Sequence, residues 1–363
     1  MKTLQIANAN FELELEKTQE CALEESLEKH PVLLQLQFLP IICSDQSDNI
    51  LVTQLPEKTD LLQLLKFGLW KNADEFPTFV KMNPFEPNDY HQITSWGYSN
   101  SVSKWAKDHK IPYFMPPFEV VREVNSKVFS FTHSPKLPQS ELIDNETSLK
   151  KWLIDTKRPS VLKSSFGFSG RGHLIIKENT PWNAILHFCA KEWTNNRPLI
   201  AEPWMERVLD FSTQWKIETT GEIAYIGSTR IKNDSQGSYQ STLCGPEDLI
   251  FSDCLHFLEE HKKEAVSVLQ LLVRQGYTGA VGIDAMVYKE EAKMILHPIV
   301  EINARQTMSL YALYFQRKWF PDNSLTISYT KKQGDRPGLL PTRLKKSNGE
   351  EIVFPRQLYF NVN

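Results

Sequence analysis

Apolar and polar positions change period several times along the chain, and the changes predict its elements. Up to about residue 115 the apolar runs are short, among them VLLQLQFLPIIC at 32–43 and ILVTQL at 50–55. After them come stretches of helical spacing near 59–70 and 99–109, the latter with Asn100 or Ser101 placed to cap it. This alternation predicts a small α/β layer. In SWGYSNSVSKWAKDHKIPY at 95–113 a strand end meets a glycine turn and then a helix, a crossing that can also line a ligand cleft. Pro112, Pro116 and Pro117 interrupt regular structure, and EVVREVNSKVFSFT at 119–132 opens a second unit, so a boundary is expected near 115.

Beyond it, 148–156 reads as a short helix and SVLKSSFGFSGRGHLII at 160–176 as strand, glycine loop, strand. The helical period returns at 253–275, with Leu255, Leu258, Val266, Leu269, Leu272 and Val273 as its core-facing positions and Asp253 as its cap. GAVGIDAMVY at 279–288 reads as a buried strand, KEEAK at 289–293 as an exposed turn, and ILHPIVEINAR at 295–305 as a second strand. The run at 307–320 is a packing helix. The basic cluster at 331–360 reads as solvated surface, with an acidic substrate or polymer as its other reading.

Composition narrows the class without naming a partner. The chain has 363 residues, 41 Lys+Arg against 44 Asp+Glu, and a formal charge of -3, so no broad basic field for nucleic acid is expected. No apolar stretch is long enough to span a bilayer, and the first twenty residues turn acidic where a signal peptide needs an apolar core, so a cytoplasmic protein is expected. Cys21, Cys43, Cys189, Cys244 and Cys254 are widely spaced, which argues against a disulfide framework and structural zinc.

Chemistry concentrates in two places. Lys163 ends an apolar strand and runs into a loop with Gly167, Gly170 and Gly172; small residues let a backbone approach phosphate oxygens, and the lysine adds a compact positive charge. Taken alone, the loop also fits an ordinary hairpin. On the strand ending at Arg305, Glu301, Asn303 and Arg305 share one face. If this strand pairs antiparallel with 279–288 so that paired residue numbers sum to an odd value, Asp284 joins that face; a shift of one residue sends it to the other. Two carboxylates and an amide oxygen make a hard oxygen set suited to Mg²⁺, with phosphate and water completing its shell.

With these motifs in this order, residues 95–325 resemble the ATP-grasp superfamily, and within it the ATP-dependent carboxylate-amine ligases. The resemblance implies an α/β and α+β chain with an ATP-grasp fold behind a preceding α/β domain. That domain would be residues 1–115. The first lobe with the glycine loop would be 116–200, the second lobe with the magnesium site 201–330, and 331–363 a tail packed on the core.

By the same resemblance Lys127, Lys163, Ser165, Gly167, Gly170 and Gly172 face the phosphates of ATP. Glu202 and the backbone near Met205 meet the adenine edge, and Asp210 holds the ribose, with Glu206 a competing hinge acid. Asp284, Glu301 and Asn303 would bind magnesium, two ions in all, with Mn²⁺ an allowed substitute. Arg305, Arg230 and Lys163 would act on the transferred phosphoryl group or reacting carboxylate. The implied reaction activates a carboxylate as an acylphosphate and passes it to an amine, releasing ADP and phosphate. It needs no cysteine nucleophile.

No biotin-linked lysine motif or CoA-binding pattern is present, so the expected partners are a small carboxylate and an amine, amino acids or peptides among them, with no nucleic acid or membrane; a homodimer is compatible. Thr307 and Ser309 are candidate substrate contacts, and His173 reads as a packing or solvent residue. A kinase acting on a small molecule or protein, and a catalytically silent nucleotide-binding regulator, remain open on the same scaffold.

Overall fold

The computed structural model describes residues 2–17, 22–86, 89–156, 159–167, 172–334, 336–346 and 348–363. Contacts separate two units: 1–118, 240–250 and 305–363 form the first, and 119–239 with 251–304 the second. The blocks drawn from the sequence are contiguous; these units are not, because the chain leaves the first unit after Phe118 and returns to it twice.

In the first unit, β1 (Lys2–Ile6), β2 (Asn49–Val52), β3 (Thr78–Lys81) and β4 (Tyr90–Ser95) form a parallel sheet in the order β3-β2-β1-β4. The apolar run at 32–43 becomes a helix, Pro31–Leu36, followed by a 3-10 turn, Leu39–Ile42. Leu4, Ile6, Leu51, Val102 and Ala106 belong to one core. Helix Asn100–Asp108 is capped by Ser99, whose side chain accepts from the Val102 N–H. The cap falls one residue before the expected Asn100 because Ser99 is the last extended residue and Asn100 already lies in the helix.

Gly97 follows β4, and a Cβ there would lie 2.5 Å from the Phe11 ring, so only glycine allows this turn its close approach. Later segments add three antiparallel strands to the unit, Tyr239–Cys244, Leu325–Lys331 and Arg356–Val362. The fully buried Gln35 ties the tail in, donating to Pro341 O and Arg356 O, each at 2.9 Å, and accepting from the Tyr329 hydroxyl at 2.7 Å.

The second unit holds two antiparallel sheets. One contains β5 (Glu141–Ile143), β6 (Ser160–Lys163), β7 (His173–Ile176) and β8 (Leu199–Pro203) in the order β5-β8-β6-β7. The other runs β12-β11-β9-β10, from β9 (Glu206–Ile217), β10 (Ile223–Asn233), β11 (Gly279–Glu290) and β12 (Lys293–Asn303).

Helix Leu255–Arg274 packs on the second sheet through Leu258, Ala265, Val268, Leu269 and Leu272. Leu255 and Val266, expected in the core, are exposed because the buried stripe runs through His261 instead. That histidine bonds Thr213 Oγ1 at 2.7 Å and Pro298 O at 2.6 Å. Cys254, and not Asp253, occupies the cap position of this helix, without a side-chain hydrogen bond to the helix backbone. Among the described residues no helix is long and apolar enough to cross a membrane.

β12 is an edge strand, and side chains satisfy its outer backbone groups. Asn125 accepts from Ala304 N–H at 2.9 Å and donates to Ala304 O at 3.2 Å, while the Ser130 hydroxyl accepts from Ile302 N–H at 3.1 Å. Truncating Asn125 strands a buried donor. Asn125→Ala is therefore expected to lower the unfolding free energy by about 2 kcal/mol, read as an earlier urea midpoint at an unchanged slope.

Candidate functional site

Cross-strand register assembles one face of the second unit's larger sheet. Asp284 on β11 lies opposite Glu301 on β12 and Ser212 on β9; Gly282 lies between Asn303 and Gln214. The next row is Asp210, Met286 and His297, and the one after it Arg207, Tyr288 and Ile295. Directly paired residues share a face, so all four rows lie on the same side. The 284–301 pairing sums to an odd number, the condition that unites the two carboxylates.

Asn303 Nδ2 lies 3.1 Å from Asp284 Oδ2. Among the described residues no group of three His, Cys, Asp or Glu side chains could hold a metal. The donor set here is instead two carboxylates and an amide, whose oxygen and nitrogen can exchange places by a flip, and as hard oxygen donors these fit Mg²⁺.

Lys127 is the first residue of helix Lys127–His133, after the cap Ser126. Its ammonium pairs with Glu301 and also donates to Gly167 O at 3.0 Å. Lys163, at the end of β6, pairs with Glu202 of β8 at 2.5 Å. The loop between β6 and β7 is closed at its neck: Ser164 N–H donates to Gly172 O at 2.8 Å, and Lys127 N–H to Ser165 O at 2.9 Å. Gly172 has a positive φ of 82°, and a Cβ would lie 3.0 Å from Phe166 O, so this return of the chain needs glycine.

Ser165 is held by Pro198 O at 3.1 Å, and the guanidinium groups of Arg122 and Arg197 lie 4.8 and 5.7 Å from the Phe166 ring centre. Gly170 lies outside the described residues. His173, paired in register with Lys163, stacks on Trp204 and bonds Gln236 O at 2.8 Å. Burial lowers its pKa, with Lys163, Lys127 and Arg207 acting in the same direction.

Met205 belongs to an apolar cluster with Leu137, Met286 and Tyr288. Beside it Arg207 Nε lies 3.1 Å from Asp210 Oδ1, and Asn233 donates to the other Asp210 oxygen at 3.0 Å. The Arg207 pair is an ionic attraction without hydrogen-bond alignment: both atoms are buried with no hydrogen-bond partner. Glu206, the competing hinge acid, is exposed.

Two residues expected to be catalytic are engaged by other partners. Arg305 belongs to the first unit, where its Nε lies 2.9 Å from Glu12 Oε1 and its guanidinium 5.5 Å from the Trp96 ring centre. Arg230, expected at the transferred phosphate, pairs in register with Phe211, whose parity is opposite to Asp210 and Ser212, so the pleat turns it away from the carboxylate face. It meets Asp253, the Phe251 ring and Cys254 Sγ, the last at 2.9 Å. Thr307, a candidate substrate contact, caps helix Met308–Trp319 through the Leu310 N–H, and Ser309 is buried in that helix.

Met286 and His297 join the carboxylate face as well, continuing the same-face alternation from Asp284 and Glu301 that a period of two could have disclosed. Glu12 and Leu137 reach Arg305 and Met205 from distant segments, and no local pattern marks them.

No protein-family model matches the chain, and no curated protein is similar to it in sequence. Solved structures are similar in fold. The Aspergillus clavatus carboxyaminoimidazole ribonucleotide synthase complexed with ATP matches at a TM-score of 0.52 and 13% identity, covering 100% of this chain and 93% of that one. The biotin carboxylase domain of Hydrogenobacter thermophilus 2-oxoglutarate carboxylase matches at 0.52 and 12% identity, over 100% of this chain and 86% of that one. The Campylobacter jejuni biotin carboxylase β-γ-ATP complex matches at 0.52 and 13% identity, over 76% and 71%. Likeness at this identity shows the fold alone, a mixed α/β architecture of the ATP-grasp type.

Burial pushes His261 and His297 down to about 4. For His297, Glu202 opposes the shift while Lys163 and Arg207 reinforce it. In the unfolded chain both imidazoles protonate near the ordinary value of about 6.5. The stabilising difference is therefore complete above that pH and is lost as pH falls toward 4, by up to about 1.4 kcal/mol per pH unit for each histidine. Urea unfolding at about pH 7.5, 6 and 5 should show this decline, and His297→Asn should make it shallower.

Proposed function

We propose that this chain, built on the ATP-grasp fold, is an ATP-dependent carboxylate-amine ligase that forms an amide or peptide bond through an acylphosphate, releasing ADP and phosphate. The observation that carries the reading is the register placing Asp284 directly opposite Glu301, with Asn303 one row away and Lys127 on Glu301. The fold relatives solved in complex with ATP or with ADP support nucleotide use.

In this reading Asp284, Glu301 and Asn303 hold Mg²⁺. The metal would offset polyphosphate charge and polarise the transferred phosphoryl group. Lys127 and Lys163 exchange their carboxylate partners for phosphate oxygens, which frees Glu301 for the metal and Glu202 for the adenine amino group. Met205, Met286, Leu137 and Tyr288 supply the apolar slot for the base, and the Asp210 acceptor takes a ribose hydroxyl. Ser165, Gly167 and Gly172 anchor the ends of a phosphate-covering loop that excludes water from a reactive acyl group. Arg305, two positions along the chain from Asn303, meets the reacting carboxylate.

Among the described residues, covalent catalysis by cysteine is disfavoured by the thiols themselves; Cys21 lies outside them. Burial pushes Cys43, Cys189 and Cys244 up to about 12 and raises Cys254, so none forms the reactive thiolate readily near neutral pH.

The test is incubation with ATP, Mg²⁺ and a cellular metabolite extract, followed by mass measurement of ADP and condensed products. Asp284→Asn or Glu301→Gln is expected to slow product formation about 100-fold or more, and Lys163→Met to weaken nucleotide binding about tenfold. Phosphorylated acceptor without an amide would select the kinase reading. ATP binding with no turnover would select a regulator, and full activity in Asp284→Asn would overturn the magnesium assignment.

A further inference from the structure

We propose that His297 is a specificity-determining contact to the nucleotide, its ring N–H donating to the N7 acceptor of a purine; this rests on the ATP site of the reading above. The observation behind it is a contrast between two buried histidines on opposite sides of the second unit's larger sheet. His261 is saturated, with Thr213 Oγ1 at 2.7 Å and Pro298 O at 2.6 Å. His297 is only 6% exposed, yet among the described residues its ring forms no hydrogen bond. A polar ring taken out of water without a partner is costly, and a ligand that supplies the partner removes that cost.

The backbone is shaped to present this ring. Where β11 advances two residues, from Asp284 to Met286, the edge strand β12 runs back four, from Glu301 to His297. Over the same residues β11 pairs with β9 in unbroken register, so the bulge belongs to β12. Pro298 sits inside it, where an edge strand tolerates proline, and His261 holds the Pro298 carbonyl from the helix side. Bulges re-aim side chains. This one brings His297 opposite Met286, in the row that ends at Asp210, while Ile295 and Val300 pack on the cluster of Met205, Met286, Tyr288 and Leu137. The imidazole therefore stands beside the apolar slot assigned to the base.

Its surroundings choose among ligands. Among the described residues His297 does not join Asp284 and Glu301 in a group able to hold a metal. Burial brings its pKa down to about 4, so near neutral pH the ring offers one N–H and one lone pair, and no charge for a phosphate. Of the charged side chains acting on it, Glu202 comes first, then Lys163 and Arg207. The ring thus lies toward the Glu202–Lys163 pair, whereas Asp210, at the ribose end, is two strands across at roughly 10 Å. In the reading above Glu202 takes the six-amino group, and the hinge backbone near Met205 takes the edge beside it. The acceptor left on the other side of that amino group is N7, which a pyrimidine lacks. His297 would then favour purines and fix the rotation of the base.

The experiment measures by calorimetry, on the full chain with Mg²⁺, the binding of ADP and of 7-deaza-ADP, in which N7 is replaced by C–H. The wild type is expected to bind the analogue about tenfold more weakly. His297→Phe, which fills the site and donates nothing, should bind ADP about tenfold more weakly than the wild type and no longer distinguish the two ligands. His297→Asn, which keeps an amide donor, should retain part of the discrimination. A readout without substitution is the ring N–H proton of His297 in chain labelled with ¹⁵N-histidine: ADP should protect it from exchange, and the analogue should not.

A penalty for losing N7 that survives His297→Phe would assign the contact to another residue and overturn the proposal. Equal binding of the two ligands by the wild type, or binding of neither, would do the same. An N7 penalty set by His297, with no product from any carboxylate and amine, would sink the ligase reading and leave this one standing. Amide formation from ATP and 7-deaza-ATP with equal KM would do the reverse.

Discussion

The register between β11 and β12 decides what the rest of the second unit can be. With Asp284 opposite Glu301, one sheet face gathers acids, amides and His297 while the other gathers Thr213, Ile283 and Ile302 beneath the helix Leu255–Arg274. A slip of one residue would exchange these sets, burying carboxylates under an apolar helix. The register is held from the opposite face and the edge: His261 reaches Pro298 O, and Asn125 clasps both backbone groups of Ala304. Residues remote from any chemistry thus fix where the chemistry-bearing side chains point.

Charge compensation is the second constraint, and it has one form throughout. Lys127 pairs with Glu301, Lys163 with Glu202, Arg207 with Asp210 and Arg305 with Glu12. Each pair is substantially buried, so neither member could be left alone without a large desolvation cost. Each of these charges meets its counter-charge within the protein. A chain with 41 basic and 44 acidic residues suits such a scheme, because opposition is local and the net charge of -3 says little about it.

Much of this was legible from spacing. The alternation Glu301, Asn303 along a strand and the long amphipathic helix before β11 follow from periods of two and 3.6, and the glycine-flanked loop after Lys163 from residue type, whereas the odd-sum pairing with Asp284 was only one of two registers until the sheet formed. Termini were less legible: Ser99 displaced Asn100 and Ser101 as a cap because capping depends on the backbone angles of a single residue. Arg230 was legible in type but not in direction, since its face depends on a pairing with Phe211 that its own segment does not encode.

The sequence by itself determined the local elements, the polar stripe on β12 and the amino acid types available for metal and phosphate. Those depend on backbone period and side-chain chemistry within a few residues. Only the tertiary structure decided that the chain leaves the first unit and returns to it twice, that Arg230 turns to Asp253, that His297 joins the carboxylate face, and that Glu12 meets Arg305. These are choices of partner between distant segments. They are set by which surfaces become buried together and which charges must then be compensated, and no local period carries that information.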